Sequence, residues 1–281
     1  MSLPTSIPTI ILHRGLPGTA KYTWSPFVTK LEARFRFGNL PYQTATGSPR
    51  SAPKGKVPYI TIDSDSNSDS DPSPAKTLSD STLITNSLIE DGLLPDLNGP
   101  LDALSKVTDS GIRALLEDKL YFLQGHEKWI QNYAAMRSHI LASLPYPVQV
   151  VVGYMIYRKQ VATLYGQGAM RFSDEERTAM KREVWGEIGA LLAESKIKAT
   201  SAGAGGGKDG GGGEKGPFWV LGGEGPTEAD ASLFGFVVGG LVCSACPETQ
   251  VIVRELPVVV EYARRIHDRF FPEYELWDGG V

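Results

Sequence analysis

The chain has 281 residues, 21% of them charged, and a formal net charge of −4. This is the composition of an ordinary globular protein, without the basic stripe of a nucleic-acid-binding protein. Two cysteines exclude a disulfide framework. The first twenty residues lack a secretory-signal pattern, and the longest apolar run, Leu233–Cys243, is too short to cross a bilayer. We therefore expect a cytoplasmic protein without a membrane anchor.

The first ninety residues or so alternate strand-like and helix-like patterns. Ser25 and Pro26 suit the N-cap and the first position of a helix that ends at Gly38. Ser79 or Asp80 caps a second helix. The apolar runs predict strands at Thr9–His13, Leu40–Thr44, Val57–Ile62 and, more briefly, Thr77–Leu78. This order predicts a small mixed sheet with helices packed against it.

Pro58 stands where an apolar strand begins, a position that a proline without an N–H fits poorly. One solution is a cis Val57–Pro58 bond in a tight turn. The backbone N–H and C=O of Val57 would then be free to pair with an extended peptide ligand. The other solution is a trans proline at the start of an edge strand.

Beyond Gly99 the strand patterns stop and long amphipathic segments follow. We predict two domains, residues 1–98 and 99–281. Each contains a low-complexity stretch that we expect to be a solvated loop. These are a Ser/Asp-rich loop at 63–75 and a Gly-rich linker at 199–216. The helical segments are predicted at Asp109–Leu144, Pro147–Met170, Ser173–Ser195, Thr227–Val242 (with a capping box from Thr227 to Asp230) and Leu256–Phe270.

Four motifs occur in the order found in glutathione S-transferases. They are Ser25-Pro26-Phe27, Gly55-Lys56-Val57-Pro58-Tyr59, Asp80-Ser81 and Thr227-Glu228-Ala229-Asp230-Ala231. The chain resembles this superfamily from about residue 9 to 272, outside the two low-complexity inserts. It is most similar to the branch of metaxins and failed-axon-connections proteins, through Lys30-Leu31-Glu32, Arg113–Asp118 and Trp129. The resemblance implies a thioredoxin-like N-terminal domain followed by an all-helical C-terminal domain, and a homodimer.

The resemblance also implies glutathione as the cofactor. Val57, before a cis Pro58, would pair with the cysteinyl backbone of glutathione. Lys54 or Lys56 would bind the glycine carboxylate through a charge-assisted hydrogen bond. Asp80 and Ser81 would bind the γ-glutamyl end at a helix start that favours anions.

The group that activates the glutathione thiol is predicted to be Ser25, with Tyr22 as the alternative. Ser25 has a competing role as a plain N-cap, and Tyr22 as a solvated loop residue. Four further residues are predicted to bind substrate, namely His13, Phe27, Tyr121 and Gln124. For His13 a hydrogen-bonded structural role is the competing interpretation, and for Tyr121 it is helix packing.

Cys243 and Cys246 form a C-x-x-C pair near the end of a rear helix, where a thioredoxin-like active site would not lie. We interpret them as buried structural cysteines, and we predict no metal site because further ligands are missing nearby.

We therefore expect a glutathione-dependent enzyme that acts on a small apolar electrophile. It would act as a conjugating transferase, or as a cis–trans isomerase of a conjugated alkene through reversible thiol addition. The two inserts are typical of filamentous fungi, where such enzymes tailor secondary metabolites. The alternative is a non-catalytic, metaxin-like adaptor.

Overall fold

The structure is a computed structural model that describes residues 8–18, 20–49, 51–63, 76–203 and 216–277. Nearly all of the predicted Ser/Asp-rich loop, residues 64–75, lies outside the described residues. So does most of the predicted Gly-rich linker, residues 204–215. The part of that linker from 199 to 203 is helical, because the preceding helix continues through Gly203.

A four-stranded mixed sheet forms the front of the molecule, in the order β2-β1-β3-β4. β1 is parallel to β2 and antiparallel to β3, and β3 is antiparallel to β4. The parallel pair is joined by helix α1, as a parallel connection requires. The strands are β1 (Thr9–His13), β2 (Gln43–Ala45), β3 (Tyr59–Asp63) and β4 (Lys76–Ser79).

Helices α1 (Pro26–Phe37) and α2 (Ser81–Glu90) complete the front part. Alternation along β1 turns Ile10 and Leu12 inward, and both are almost fully buried. They share an apolar core with residues of β3, of both helices and of the segments that follow each helix, which are Leu31, Phe35, Leu40, Ile60, Ile62, Ile84, Leu88 and Leu94. This arrangement confirms the predicted thioredoxin-like layer of sheet and helices.

The rest of the described chain is helical. The predicted long helix over 109–144 is not continuous, because π-helical turns at Leu115–Leu120 and Glu127–Gln131 interrupt it. The predicted helix over 147–170 ends at Gly166 and is followed by a 3₁₀ turn, Ala169–Arg171. The helices are α3 (Ala103–Ala114), α4 (Tyr121–His126), α5 (Tyr133–Ile140), α6 (Tyr146–Gly166), α7 (Asp174–Gly203), α8 (Glu228–Val242), α9 (Pro247–Arg254) and α10 (Pro257–Phe270).

Helix α8 is the centre of the rear core, since nearly all its side chains are buried. The predicted capping box is present at its start, where the Asp230 carboxylate accepts hydrogen bonds from Thr227 N–H (2.8 Å) and Val220 N–H (2.7 Å). The Tyr262 hydroxyl also donates to Asp230, at 2.8 Å. Burial raises the pKa of Asp230 to about 6, against the opposing effect of these donors. Asp230 therefore joins α8 to α10 as well as capping α8.

Helix α1 lies between the two cores. Leu31 and Phe35 belong to the front core, whereas Ala33 and Phe37 belong to the rear one. Three charged residues of α1 are also buried, and each has a partner in the rear part. These contacts are Lys30 with Glu117 (2.6 Å), Arg34 with Glu228 (2.6 Å) and Glu32 with the Tyr274 hydroxyl (2.8 Å). A buried charge needs a partner of this kind.

Among the described residues, no single helix has both the length and the apolar character to cross a bilayer; α8 and α9 meet those criteria only jointly, across a bend of 118°.

Candidate functional site

Three chain segments meet at one end of the sheet. The register pairs Tyr59 with both His13 and Ser79. Because these strands are antiparallel neighbours, the residues before Tyr59 and after Ser79 leave the sheet at the same end. Val57 and Pro58 therefore lie beside Asp80 and Ser81, at the end of the sheet where β1 ends. Helix α1 runs back from this end towards the start of β2, so its N-terminus lies here too.

The Val57–Pro58 peptide bond is cis, the first of the two geometries considered for this proline. No hydrogen bond within the described residues uses the backbone N–H or C=O of Val57. The Val57 side chain is half-buried and lies against Gly15, where an added Cβ would come within 3.2 Å of Val57 Cγ2. Val57 thus presents, at the end of the sheet, a backbone amide and carbonyl to which no described residue bonds.

Asp80 and Ser81 form the start of α2. Asp80 has a φ of 80°, an uncommon conformation for a residue other than glycine. Its Oδ1 accepts hydrogen bonds from Thr82 N–H (3.1 Å) and Leu83 N–H (3.3 Å), while Oδ2 has no described partner. Ser81 is buried at the first helical position. One carboxylate oxygen of Asp80 therefore caps the helix, whereas the other takes no part in the cap.

Ser25 is the N-cap residue of α1, with Pro26 at the first helical position as predicted. Its half-buried hydroxyl makes no capping hydrogen bond. Ser25 therefore holds the N-cap position without the hydrogen bond of the competing N-cap role, and no described residue bonds to its hydroxyl.

Tyr22 does not share this location. Its ring packs in the rear aromatic core against Phe234, Phe271 and Tyr274, and its hydroxyl bonds to His267 Nδ1 at 2.8 Å. Burial raises the pKa of the Tyr22 hydroxyl, and Tyr274 adds to the effect. The structure thus corrects both interpretations of Tyr22. It is neither a solvated loop residue nor a donor at the start of α1.

His13 ends β1, opposite Tyr59 in the sheet register. It stacks on Tyr59 with ring centroids 4.3 Å apart and bonds to Thr61 Oγ1 at 3.1 Å. It lies among the residues of β1 that face away from α1 and α2, opposite to the inward Ile10 and Leu12. These contacts agree with the competing, structural interpretation of His13, and substrate binding by this residue stays a prediction.

The remaining predicted residues are Phe27, Tyr121, Gln124, Lys54 and Lys56. Phe27 packs edge-on against Tyr121 with centroids 5.0 Å apart. Gln124 is buried, and its Nε2 has no described hydrogen-bond partner. Lys54 and Lys56 are exposed just before Val57 and form no ion pair with a described residue. Two surface depressions, one beside Arg254 and one beside Arg36, contain none of the predicted site residues.

Lys128 is a residue that the sequence interpretation did not select. It is buried, and its Nζ donates to the backbone carbonyl of Trp24 at 3.2 Å, immediately before Ser25. In the sequence, the spacing of Lys128 from Tyr121 and Gln124 places all three on one face of a helix. A single lysine on a largely apolar face was the signal that could have identified it. The structure brings its cation to the N-terminus of α1.

The two cysteines are buried and free, in agreement with their structural interpretation. A hydrogen bond from Cys246 lowers the pKa of the Cys243 thiol to about 7, although burial opposes this. The described residues contain no group of three or more His, Cys, Asp or Glu side chains able to hold a metal ion.

Comparison with known proteins shows which fold this chain has. Residues 26–136, less than half of the chain, match the family model described as the glutathione S-transferase N-terminal domain. Solved structures similar to the chain include FzlA from C. crescentus, with 12% identity over 96% of this chain and 94% of that one and a TM-score of 0.54. Ure2p in complex with glutathione has 13% identity, coverages of 95% and 93%, and a TM-score of 0.52. Rice GST1 (OsGSTU1) in complex with glutathione has 15% identity, coverages of 98% and 93%, and a TM-score of 0.50. The chain therefore has the glutathione S-transferase fold, with a thioredoxin-like sheet in front and helices behind.

Proposed function

We propose that this protein binds glutathione at the end of its sheet, ionises the thiol, and adds the thiolate to an electrophilic carbon of a small apolar molecule. The observation that carries this proposal is the backbone amide and carbonyl of Val57, to which no described residue bonds, at the end of the sheet where the Ser25 hydroxyl also lies. Two solved structures of the same fold contain glutathione, which supports this choice of ligand.

The γ-glutamyl end of glutathione would bind at the start of α2. The Ser81 hydroxyl and the helix N-terminus would receive its carboxylate, since unpaired N–H groups and the helix dipole favour an anion there. Asp80 Oδ2, which the helix cap leaves free, would receive its ammonium group. At the other end, the exposed Lys54 or Lys56 would bind the glycine carboxylate.

Ser25 would donate a hydrogen bond to the thiolate. A free thiol has a pKa of about 8.5, and a hydrogen bond to a charged group contributes roughly 1.5–3 kcal/mol, or one to two pKa units. The start of α1 and the Lys128 cation near Trp24 would add favourable potential. Together these contributions are sufficient to populate the thiolate near neutral pH.

Phe27 and Tyr121 would supply an apolar wall for the second substrate, and the unpartnered Gln124 amide would donate to an acceptor atom on it. Whether the adduct is released or decomposes to an isomerised alkene depends on the electrophile. Weighing the product distinguishes the two reactions, because conjugation adds the mass of glutathione and isomerisation adds none. A role in secondary metabolism belongs to the same proposal.

We also propose a homodimer, supported by apolar side chains exposed on α2 and α3. These are Leu83, Leu104 and Val107. Light scattering on the purified protein measures the mass directly.

Calorimetry and thiolate absorbance test the proposal. Ser25→Ala should bind glutathione as the unaltered protein does, but should raise the pKa of the bound thiol by about one to two units, followed near 240 nm. Ser81→Ala should instead weaken binding by about tenfold or more while leaving the thiol pKa unchanged. The two variants are matched, since each removes one hydroxyl at a helix start.

If calorimetry detects no heat of binding between this protein and millimolar glutathione, the proposal is contradicted. The metaxin-like adaptor would then be the better account of this fold.

A further inference from the structure

Helix α6 exposes an unusual number of apolar side chains. Of its 21 residues, only Gly153 and Leu164 are fully buried. Its outer face repeats at helical spacing and consists of Val148, Val151, Tyr154, Met155, Arg158, Lys159, Ala162 and Tyr165. A helix on the surface of a globular protein normally turns its apolar stripe towards the core, and a contiguous exposed patch marks an interaction site.

The charge around α6 is one-sided. Between Glu127 and Asp174 the sequence contains no Asp or Glu, although the whole chain has a net charge of −4. The same stretch contains five Lys and Arg residues. Two of them, Arg158 and Lys159, are exposed on the outer face of α6 and pair with no described carboxylate. The surface is therefore apolar and cationic together, and its complement is apolar and anionic.

A second copy of this chain fits this surface poorly. In a symmetric dimer the same patch contacts itself, so the cations of α6 would meet their own copies. The segment contains no carboxylate that would neutralise them. Like charges at a desolvated contact oppose association.

An anionic lipid surface satisfies both properties. Tyrosines are favoured at the boundary between headgroups and acyl chains, and Tyr154 and Tyr165 stand exposed on the outer face of α6. Lysine and arginine beside such residues are attracted to anionic headgroups.

We propose that α6 binds the surface of an anionic lipid membrane, lying in the plane of the headgroups. Val151, Tyr154 and Met155 enter the boundary region, and Arg158 and Lys159 contact the phosphates. Binding is peripheral and reversible, because the helix lies on the membrane rather than across it. This property is independent of the proposed glutathione chemistry, since α6 contributes none of the site residues.

Vesicle flotation of the full chain tests the proposal, with phosphatidylcholine vesicles containing about one-third phosphatidylserine and vesicles of phosphatidylcholine alone. The protein should float with the anionic vesicles at 0.1 M salt and much less at 0.5 M, because salt screens the attraction. Val151→Glu should reduce binding at least about tenfold. The double variant Arg158→Glu/Lys159→Glu should reduce it by roughly thirtyfold or more.

Ile197→Glu on α7 is the matched control, because Ile197 is exposed to 66% and Val151 to 63%. It should bind vesicles as the unaltered protein does, and circular dichroism should show all variants folded. Failure to float with anionic vesicles would overturn the proposal, as would equal binding by Val151→Glu. It would also be overturned if the protein ignores vesicles and Val151→Glu converts a dimer to a monomer, which would assign the face to a second copy. Binding of this protein to an acidic protein, without binding to anionic vesicles, would also overturn the proposal.

Discussion

Tyr22 and Ser25 are near neighbours in sequence, and both carry a hydroxyl group that could have served a thiol. Their surroundings separate them. The Tyr22 hydroxyl is held by His267 inside an aromatic cluster, whereas the Ser25 hydroxyl makes no capping hydrogen bond at the start of α1. The difference comes from His267 at the end of α10 and from Phe271 and Tyr274 just after it, which surround Tyr22.

Tyr22→Phe tests this assignment. Removing the hydroxyl leaves His267 Nδ1 without its partner, so the free energy of unfolding should fall by about 1 kcal/mol in urea denaturation. The pKa of any bound glutathione thiol should not change, in contrast to Ser25→Ala. A rise in the thiol pKa of Tyr22→Phe would restore Tyr22 as the activating residue.

At the scale of elements, the contact between α1 and α8 positions the proposed site. Gly235 of α8 faces the first turn of α1, where an added Cβ would come within 2.3 Å of the Pro26 carbonyl oxygen and 2.9 Å of Lys30 N. Gly239 lies one turn further, against Pro26 itself. The helices approach this closely because no side chain separates their backbones.

Gly235→Ala should therefore reduce the free energy of unfolding by about 2 kcal/mol or more, since overpacking outweighs the gain in helix propensity. Gly186→Ala on α7 is the control, because an added Cβ there has no neighbour within 4 Å. That exposed substitution should stabilise the protein by about 0.5–1 kcal/mol. Thermal and urea unfolding measure both, and equal effects would refute the close-packing argument.

Local motifs were readable from the sequence. The Thr227 cap formed where a short polar pattern predicted it, because a cap depends on a few adjacent residues. The strands were found with shifted bounds, since the predicted Leu40–Thr44 strand is Gln43–Ala45 and the predicted Val57–Ile62 strand is Tyr59–Asp63. The interruptions of the long rear helix were not predicted, since its apolar spacing continues across the π-helical turns. The surroundings of Tyr22 and Lys128 also depend on residues distant in sequence, which periodicity alone does not identify.

At the scale of the molecule, the division into residues 1–98 and 99–281 remains a proposal about domains. The two parts nevertheless depend on contacts with each other for their stability. The buried charges of α1 find their partners in the rear part, in Glu117, Glu228 and Tyr274. Ala33 and Phe37 also contribute to the rear core. Cutting the chain near residue 98 would expose an apolar helix face and leave Lys30, Glu32 and Arg34 without these partners.

A fragment of residues 1–98 should consequently show no cooperative thermal transition by circular dichroism. The full chain should unfold in one transition, with coincident curves from circular dichroism and tryptophan fluorescence. A sharp transition of the fragment, or two separated transitions of the full chain, would show that the front part is stable by itself.

The double burial of α1 has a consequence for how the proposed site opens and closes. A helix enclosed on both sides cannot act as a hinge or a lever, because rotating it would break ion pairs and vacate packed positions at once. We therefore expect the Ser25 hydroxyl to keep its position when ligands bind. Any adjustment to ligands of different size falls to the segments that border it, the turn after β1 and the loop that leads into Val57.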